Sequence, residues 1–140
     1  MKTGNAASSF DDMGKLIVRA ALSVLILLHG IAKISGGVGF ITSVVAKSGL
    51  PESLGYLVYV GEVIAPLMVL FGLWARAGAG IIALNMIAAI LLVHTGDFMR
   101  LNQTGGWELE LQAMFLATAV GVALFGAGRY SVQGNRNRWN

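Results

Sequence analysis

The chain has 140 residues, 56% of them hydrophobic and 12% charged, with a formal net charge of +3 and a mean hydropathy of +0.71. A soluble domain carries about 25% charged residues, so this composition excludes an ordinary soluble domain and points to one membrane domain. No cysteine is present, which excludes disulfides, thiolate metal sites, iron–sulfur clusters and dithiol redox chemistry by this chain.

The expected fold is all-α: a transmembrane four-helix bundle with a short amphipathic helix between its first two spans. Residues 1–14 are expected to form a cytoplasmic N-terminal segment, with Asp11 and Asp12 just before the apolar run. They lack the basic leader and small-residue cleavage site of a secretory signal. The first span is expected over Lys15–Ile34. At ~100° per residue, Arg19, Ser23, His29 and Lys33 fall within an arc of about 120° and share an inward stripe. Arg19 lies one turn from the helix end, where a long side chain can snorkel in a structural role. Gly36, Gly37 and Gly39 end the helix.

Val38–Pro51 is too short to span. Val38, Ile41, Val44 and Val45 recur at helical spacing, with Gly49 and Pro51 as stops. It reads as a helix lying on the membrane surface, in preference to a lid over the bundle. The second span, Leu54–Trp74, carries Tyr59, Glu62 and Pro66 on one face. Glu62 lies roughly 12 Å along the helix from Leu54, too deep to snorkel, and calls for Lys33 or a histidine as partner.

Ala75 and Arg76 join the second span tightly to the third, Ala77–Thr95. Asn85 and His94 point to opposite faces of that helix and cannot both line one site. Asn85 is assigned to interhelical hydrogen bonding. His94, within a turn of Asp97, is assigned to the site. Gly105, Gly106 and Trp107 precede the fourth span, Glu108–Phe125. There Glu108 and Gln112 share a face and Glu110 points away; Glu108 also suits a helix N-terminus. Residues 129–140 read as a basic tail.

An even number of spans places both termini on one side. Lys2, Lys15, Arg19, Arg76, Arg129, Arg136 and Arg138 fall on that side, against Lys33, Lys47 and Arg100 on the other. The bias puts the termini in the cytoplasm. These basic residues are topology signals rather than a nucleic-acid surface.

Charge in hydrocarbon costs about 2.5–3.5 kcal/mol per group on insertion scales and persists when paired, solvated or used. His29, Lys33, Glu62, His94 and Glu108 come from four spans, yet all fall in the outer half. They are expected to line one outward-opening pocket. Glu62, His94 and His29 are the candidate proton-handling residues; Lys33, Tyr59, Glu108 and Gln112 are the candidate ligand-binding ones. No metal site is read from the chain. Ionisable groups amid aliphatic walls suit an amphipathic ligand such as a quinone, with histidines donating to a carbonyl and a carboxylate accepting a released proton. The alternatives are a b-type haem held by His29 and His94, a membrane assembly factor or scaffold, and a proton-coupled transporter, which with four helices would need to dimerise.

Several pieces occur in a shared order: His29-Gly30 followed by Lys33, Gly49-Leu50-Pro51, Glu62, Gly72-Leu73 with Arg76, Gly106-Trp107-Glu108, and Gly126 through Ser131. Over Leu16 to Ser131 the chain resembles the DoxX family of small bacterial and archaeal membrane proteins. Ala127 stands where that pattern has a proline. The resemblance implies a four-helix protein of the bacterial inner membrane with a link to redox metabolism and a protein partner or a homo-oligomer. Relatives include a subunit of thiosulfate:quinone oxidoreduction, proteins of quinone or catechol stress, and a partner in a thiol-oxidant defence complex; distant ones act in receptor assembly or cargo export. Without cysteine, sulfur transfer by this chain itself does not follow.

Overall fold

A computed structural model describes residues 3–134 and 138–140, so Lys2 and Arg136 of the charge count lie outside the described residues. Five α-helices follow in chain order: α1 (Thr3–Gly36), α2 (Gly39–Lys47), α3 (Ala65–Phe71), α4 (Ala75–Val93) and α5 (Glu110–Phe125). Short 3-10 turns cover Glu52–Leu57 and Thr95–Asp97, and a π turn covers Val60–Ile64.

Among the described residues, three helical stretches are long and apolar enough to cross a membrane: Ser9–Gly36, Glu52–Phe71 and Ala75–Val93. The fourth, α5, has 16 residues. At ~1.5 Å per residue it reaches about 24 Å, short of a hydrocarbon core of about 30 Å. The protein is therefore an all-helical membrane protein of three full-length spans and one shorter apolar helix. No break at Gly14 separates an N-terminal segment, because α1 runs unbroken from Thr3.

The bundle closes on Leu22 and Ile26 of α1, Ala65 and Val69 of α3, Ala79, Ile82 and Met86 of α4, and Phe115, Ala119 and Val122 of α5. Small residues at the crossings let the backbones approach, since lipid supplies no hydrophobic force between helices. Outside this core large apolar side chains are exposed all round, including Leu28, Leu84, Met114 and Leu124. That is the surface a bilayer wets.

Arg19 does not snorkel. It is 2% exposed, because α1 begins well before it. Its guanidinium donates to the carbonyls of Val69 and Leu70, each at 3.0 Å, and to that of Tyr130. The first two are carbonyls of the last turn of α3, Val69 O also accepting from Gly72 N at 3.2 Å, where a cation meets the negative end of the helix dipole. Arg76 does the same for α5, donating to Ala123 O at 3.2 Å and Leu124 O at 2.9 Å. Two residues counted as topology signals are thus helix-end clamps. Arg19→Lys keeps the charge but not the fork. It is expected to lower unfolding stability in detergent by about 1–2 kcal/mol, as carbonyls lose their donor; an unchanged thermal midpoint would show the clamp to be idle.

The stretch read as a basic tail folds back, in its described part, onto the α3–α4 turn. Val132 N donates to Phe71 O at 3.0 Å and Trp74 N to Gln133 Oε1 at 2.9 Å. Asn140, 8% exposed, donates to Ser131 Oγ at 2.8 Å and Gly134 O at 2.6 Å. Gly72 makes this docking possible: it is left-handed (φ +67), and a Cβ there would lie 2.2 Å from Ser131 Cβ. Asp12 accepts from Arg129 N at 3.0 Å, so the start of α1 and the chain after α5 meet at one end of the bundle. The candidate site is at the other.

Candidate ligand-binding site

The site begins with a proline. In an α-helix the carbonyl of Glu62 would receive the N–H of residue 66, but that residue is Pro66, which has none. The helix accommodates this with the π turn, in which Ala65 N reaches back to Val60 O. Turns of this kind frequently mark functional sites. The freed Glu62 carbonyl lies against α1 at Gly30, where a built Cβ would sit 2.3 Å from it. Only a residue without a side chain permits that approach.

One helical turn further along α1, Lys33 Nζ meets Glu62 Oε2 at 2.5 Å. The other carboxylate oxygen accepts from Asn85 Nδ2 at 3.5 Å. Glu62 is buried; the Lys33 side chain keeps 23% of its exposure. The expectations that Glu62 pairs with Lys33 and that Asn85 bonds between helices describe this geometry. Tyr59 serves the pair indirectly: its hydroxyl donates to the Lys33 carbonyl, in the last turn of α1, at 3.2 Å.

A cavity of about 290 Å³ opens beside the pair, with His29, Lys33, Glu62, His94, Gln112 and Phe115 among its lining residues. Five of the seven predicted site residues therefore come together. Tyr59 does not line the cavity, and neither does Glu108. Glu108 is exposed and precedes α5, which starts at Glu110 with Leu109 as its cap. The expectation of a shared face for Glu108 and Gln112 fails because no helix connects them. The carboxylate at the start of α5 is that of Glu110, whose Oε1 accepts from Trp107 N in the preceding turn at 2.8 Å.

His94 lies just past the end of α4 and is held from two sides. Its Nδ1 is 3.0 Å from Asp97 Oδ2 and its Nε2 is 3.2 Å from Gln112 Nε2. An ionised carboxylate can only accept, so the neutral imidazole carries its proton on Nδ1 and leaves the Nε2 lone pair to the Gln112 amide N–H. That amide's own oxygen is buried with no partner. Arg100 stands 3.5 Å from the far oxygen of Asp97. His29 is more exposed; its ring meets Phe115 edge-on at 5.9 Å. The donor set does not fit a bis-histidine haem, which would need a free nitrogen on His94, and both are engaged.

The contribution of α2 differs from the surface packing preferred for it. Phe40 and Ile41 line the cavity, while Thr42 and Val45 are buried against the 3-10 turn beyond it. The amphipathic helix is thus a roof over the site, and the lid expectation describes it better than surface packing. Its stripe of Val38, Ile41, Val44 and Val45 was the legible signal. Phe115 could have been found as the residue three beyond Gln112, on the same face of α5.

Residues 14–95 match the DoxX family. The chain is 28% identical over 116 residues to the protein named "Putative oxidoreductase CatD" of Bacillus subtilis (strain 168), covering 83% of this chain and 81% of that protein. No solved structure matches. The matched stretch carries α1, α2, the Glu62 turn and α4, and with them His29, Lys33, Glu62 and His94: the chain belongs to the DoxX family.

Proposed function

We propose that this protein is a quinone-interacting subunit of a redox system, with the His29–Lys33–Glu62–His94–Gln112 cavity as its ring site. The observation that carries this reading is a buried ion pair sharing one cavity with a histidine held between a carboxylate and an amide. Flat side chains at His29, His94, Phe40 and Phe115 suit a planar ring, and the volume matches a single small ring at the lower end of ligand pockets of about 300–1,000 Å³. A bound quinol supplies two electrons and two protons on oxidation. The residues here handle only the protons.

His94 Nε2, whose lone pair is held only by the Gln112 N–H, is the proton acceptor. When it takes a proton, the Gln112 amide turns over and offers its unpartnered oxygen to the new N–H. Asp97 stabilises the imidazolium through Nδ1. Lys33 contacts Glu62 through one of its ammonium protons and has others left to donate to a ligand oxygen. With no cysteine in the chain, the electrons pass to or from a partner protein carrying its own cofactor. The relative named an oxidoreductase supports this class of chemistry. The basic residues at the bundle end where α1 meets the chain after α5 support an orientation with that end in the cytoplasm and the cavity opening outward from the bacterial inner membrane.

Glu62→Gln tests the reading. The variant is expected to insert and fold, because glutamine retains the shape and can still accept from Lys33, but to lose binding of a short-tailed ubiquinone analogue in nanodiscs. Binding at parental affinity would sink the role of the carboxylate. His94→Ala is expected to leave ring binding measurable and to slow proton-coupled turnover with a supplied redox partner by about 10²–10⁴-fold, the usual contribution of a positioned acid or base.

A further inference from the structure

Glu62 does not face one cavity alone. A second, of about 220 Å³, lies between α2, the Glu52–Leu57 turn and α4, and shares Ile41, Glu62, Ala89 and Val93 with the first. The two chambers differ in chemistry. The first is lined by two imidazoles and two phenyl rings. The second has no aromatic ring in its lining. Apart from Glu62 and Asn85, which already bond each other, its walls are aliphatic or glycine, with Val44, Leu54, Leu57 and Leu92 among them.

We infer that the second cavity holds the isoprenoid tail of the molecule whose ring occupies the first, an assignment that rests on the quinone reading above. Flat walls accept a planar ring; branched aliphatic walls accept a flexible branched chain. The four residues they share set the chambers side by side, with Glu62 lining both, and the tail would cross from one to the other beside it. Burying the tail here gains little from water exclusion, since lipid is as apolar as leucine. Its effect is orientation: a tail seated under α2 fixes which edge of the ring meets His94 and which meets Lys33. α2 roofs both chambers, Phe40 over the first and Val44 over the second.

The test uses the full chain in phospholipid nanodiscs and a ubiquinone analogue carrying a diazirine on its tail, one isoprene unit from the ring. Irradiation is expected to label Val44, Leu57 or Leu92, and an unmodified tailed quinone is expected to compete. Ala88 lines only the second chamber and is exposed, so Ala88→Trp fills that chamber without disturbing the core. It is expected to abolish the labelling while a tail-less benzoquinone still binds with unchanged affinity. Val44→Trp, on the opposite wall, is expected to do the same. Labelling that persists in both variants, or that falls on lipid-facing residues such as Leu84 and Leu124, overturns the tail assignment; so does competition by a free fatty acid equal to that by the tailed quinone, which would mark the chamber as an acyl-chain site. Failure of the tail-less ring to bind any form overturns the quinone reading itself, and the tail assignment with it.

Discussion

Lys33→Met is expected to destabilise the folded protein by about 3 kcal/mol, the low end of the ~3–5 kcal/mol for removing one partner of a buried ion pair. The low end applies because the Lys33 side chain is 23% exposed while that of Glu62 is 8% exposed. The cost comes mainly from the carboxylate left behind, which keeps only a long bond from Asn85. The double variant Lys33→Met/Glu62→Leu removes both charges and is expected to regain most of that loss, since hydrophobic replacement of a buried pair is often neutral or stabilising. It should nonetheless bind no quinone. Unfolding in detergent and ligand binding, measured on the same three proteins, separate the two roles. If the single variant unfolds at the parental midpoint, the pair does not organise the junction of α1 with the π turn. If the double variant still binds ligand, the pair is structural only.

That pair was legible in the sequence because charge in an apolar run must be answered. Glu62 is too deep to reach water, and Lys33 is the nearest cation that a neighbouring span could offer. The same logic placed Asn85 between helices and tied His94 to Asp97. Periodicity alone could not give the site its shape. It predicts one uniform helix over the second span, whereas the chain passes through 3-10, π and α geometry between Glu52 and Phe71. Pro66 was visible as a missing donor, but the extra residue the turn absorbs before it was not, and that residue sets where Glu62 points. An expectation built on ~100° per residue fails wherever such a turn intervenes.

Helix ends were the other source of error, in both directions. At α5 the carboxylate two residues further on, Glu110, bonds back to Trp107 and starts the helix later, so Glu108 is left outside. At α1 the helix starts earlier than the hydropathy suggests, so Arg19 becomes interior and clamps α3. Both errors have one cause. Hydrophobicity reports where the bilayer core begins, while the helix begins and ends where orphan amides and carbonyls find partners.

Gly30→Ala is expected to produce a second large effect, in stability and in ligand binding together. A Cβ at this position would lie 2.3 Å from Glu62 O, 2.8 Å from Val63 Cγ2 and 2.9 Å from Glu62 C. Two of these three atoms are backbone and cannot rotate away, so α1 and the π turn must separate. Overpacking of this kind costs about 1–3 kcal/mol, and the backbone contact places this case at the upper end. Lys33 is one turn along the same helix face, so the same displacement stretches its 2.5 Å contact to Glu62. Gly36→Ala is the control. It lies on the same helix with nothing within 4 Å of a built Cβ, and relief of glycine's backbone entropy is expected to leave it neutral or up to about 1 kcal/mol more stable. If Gly30→Ala behaves like Gly36→Ala in both measurements, the close approach does not hold Glu62 in place. Loss of stability with intact binding would mean that Glu62 keeps its position by the bond to Lys33 alone, and that the glycine serves helix packing rather than the site.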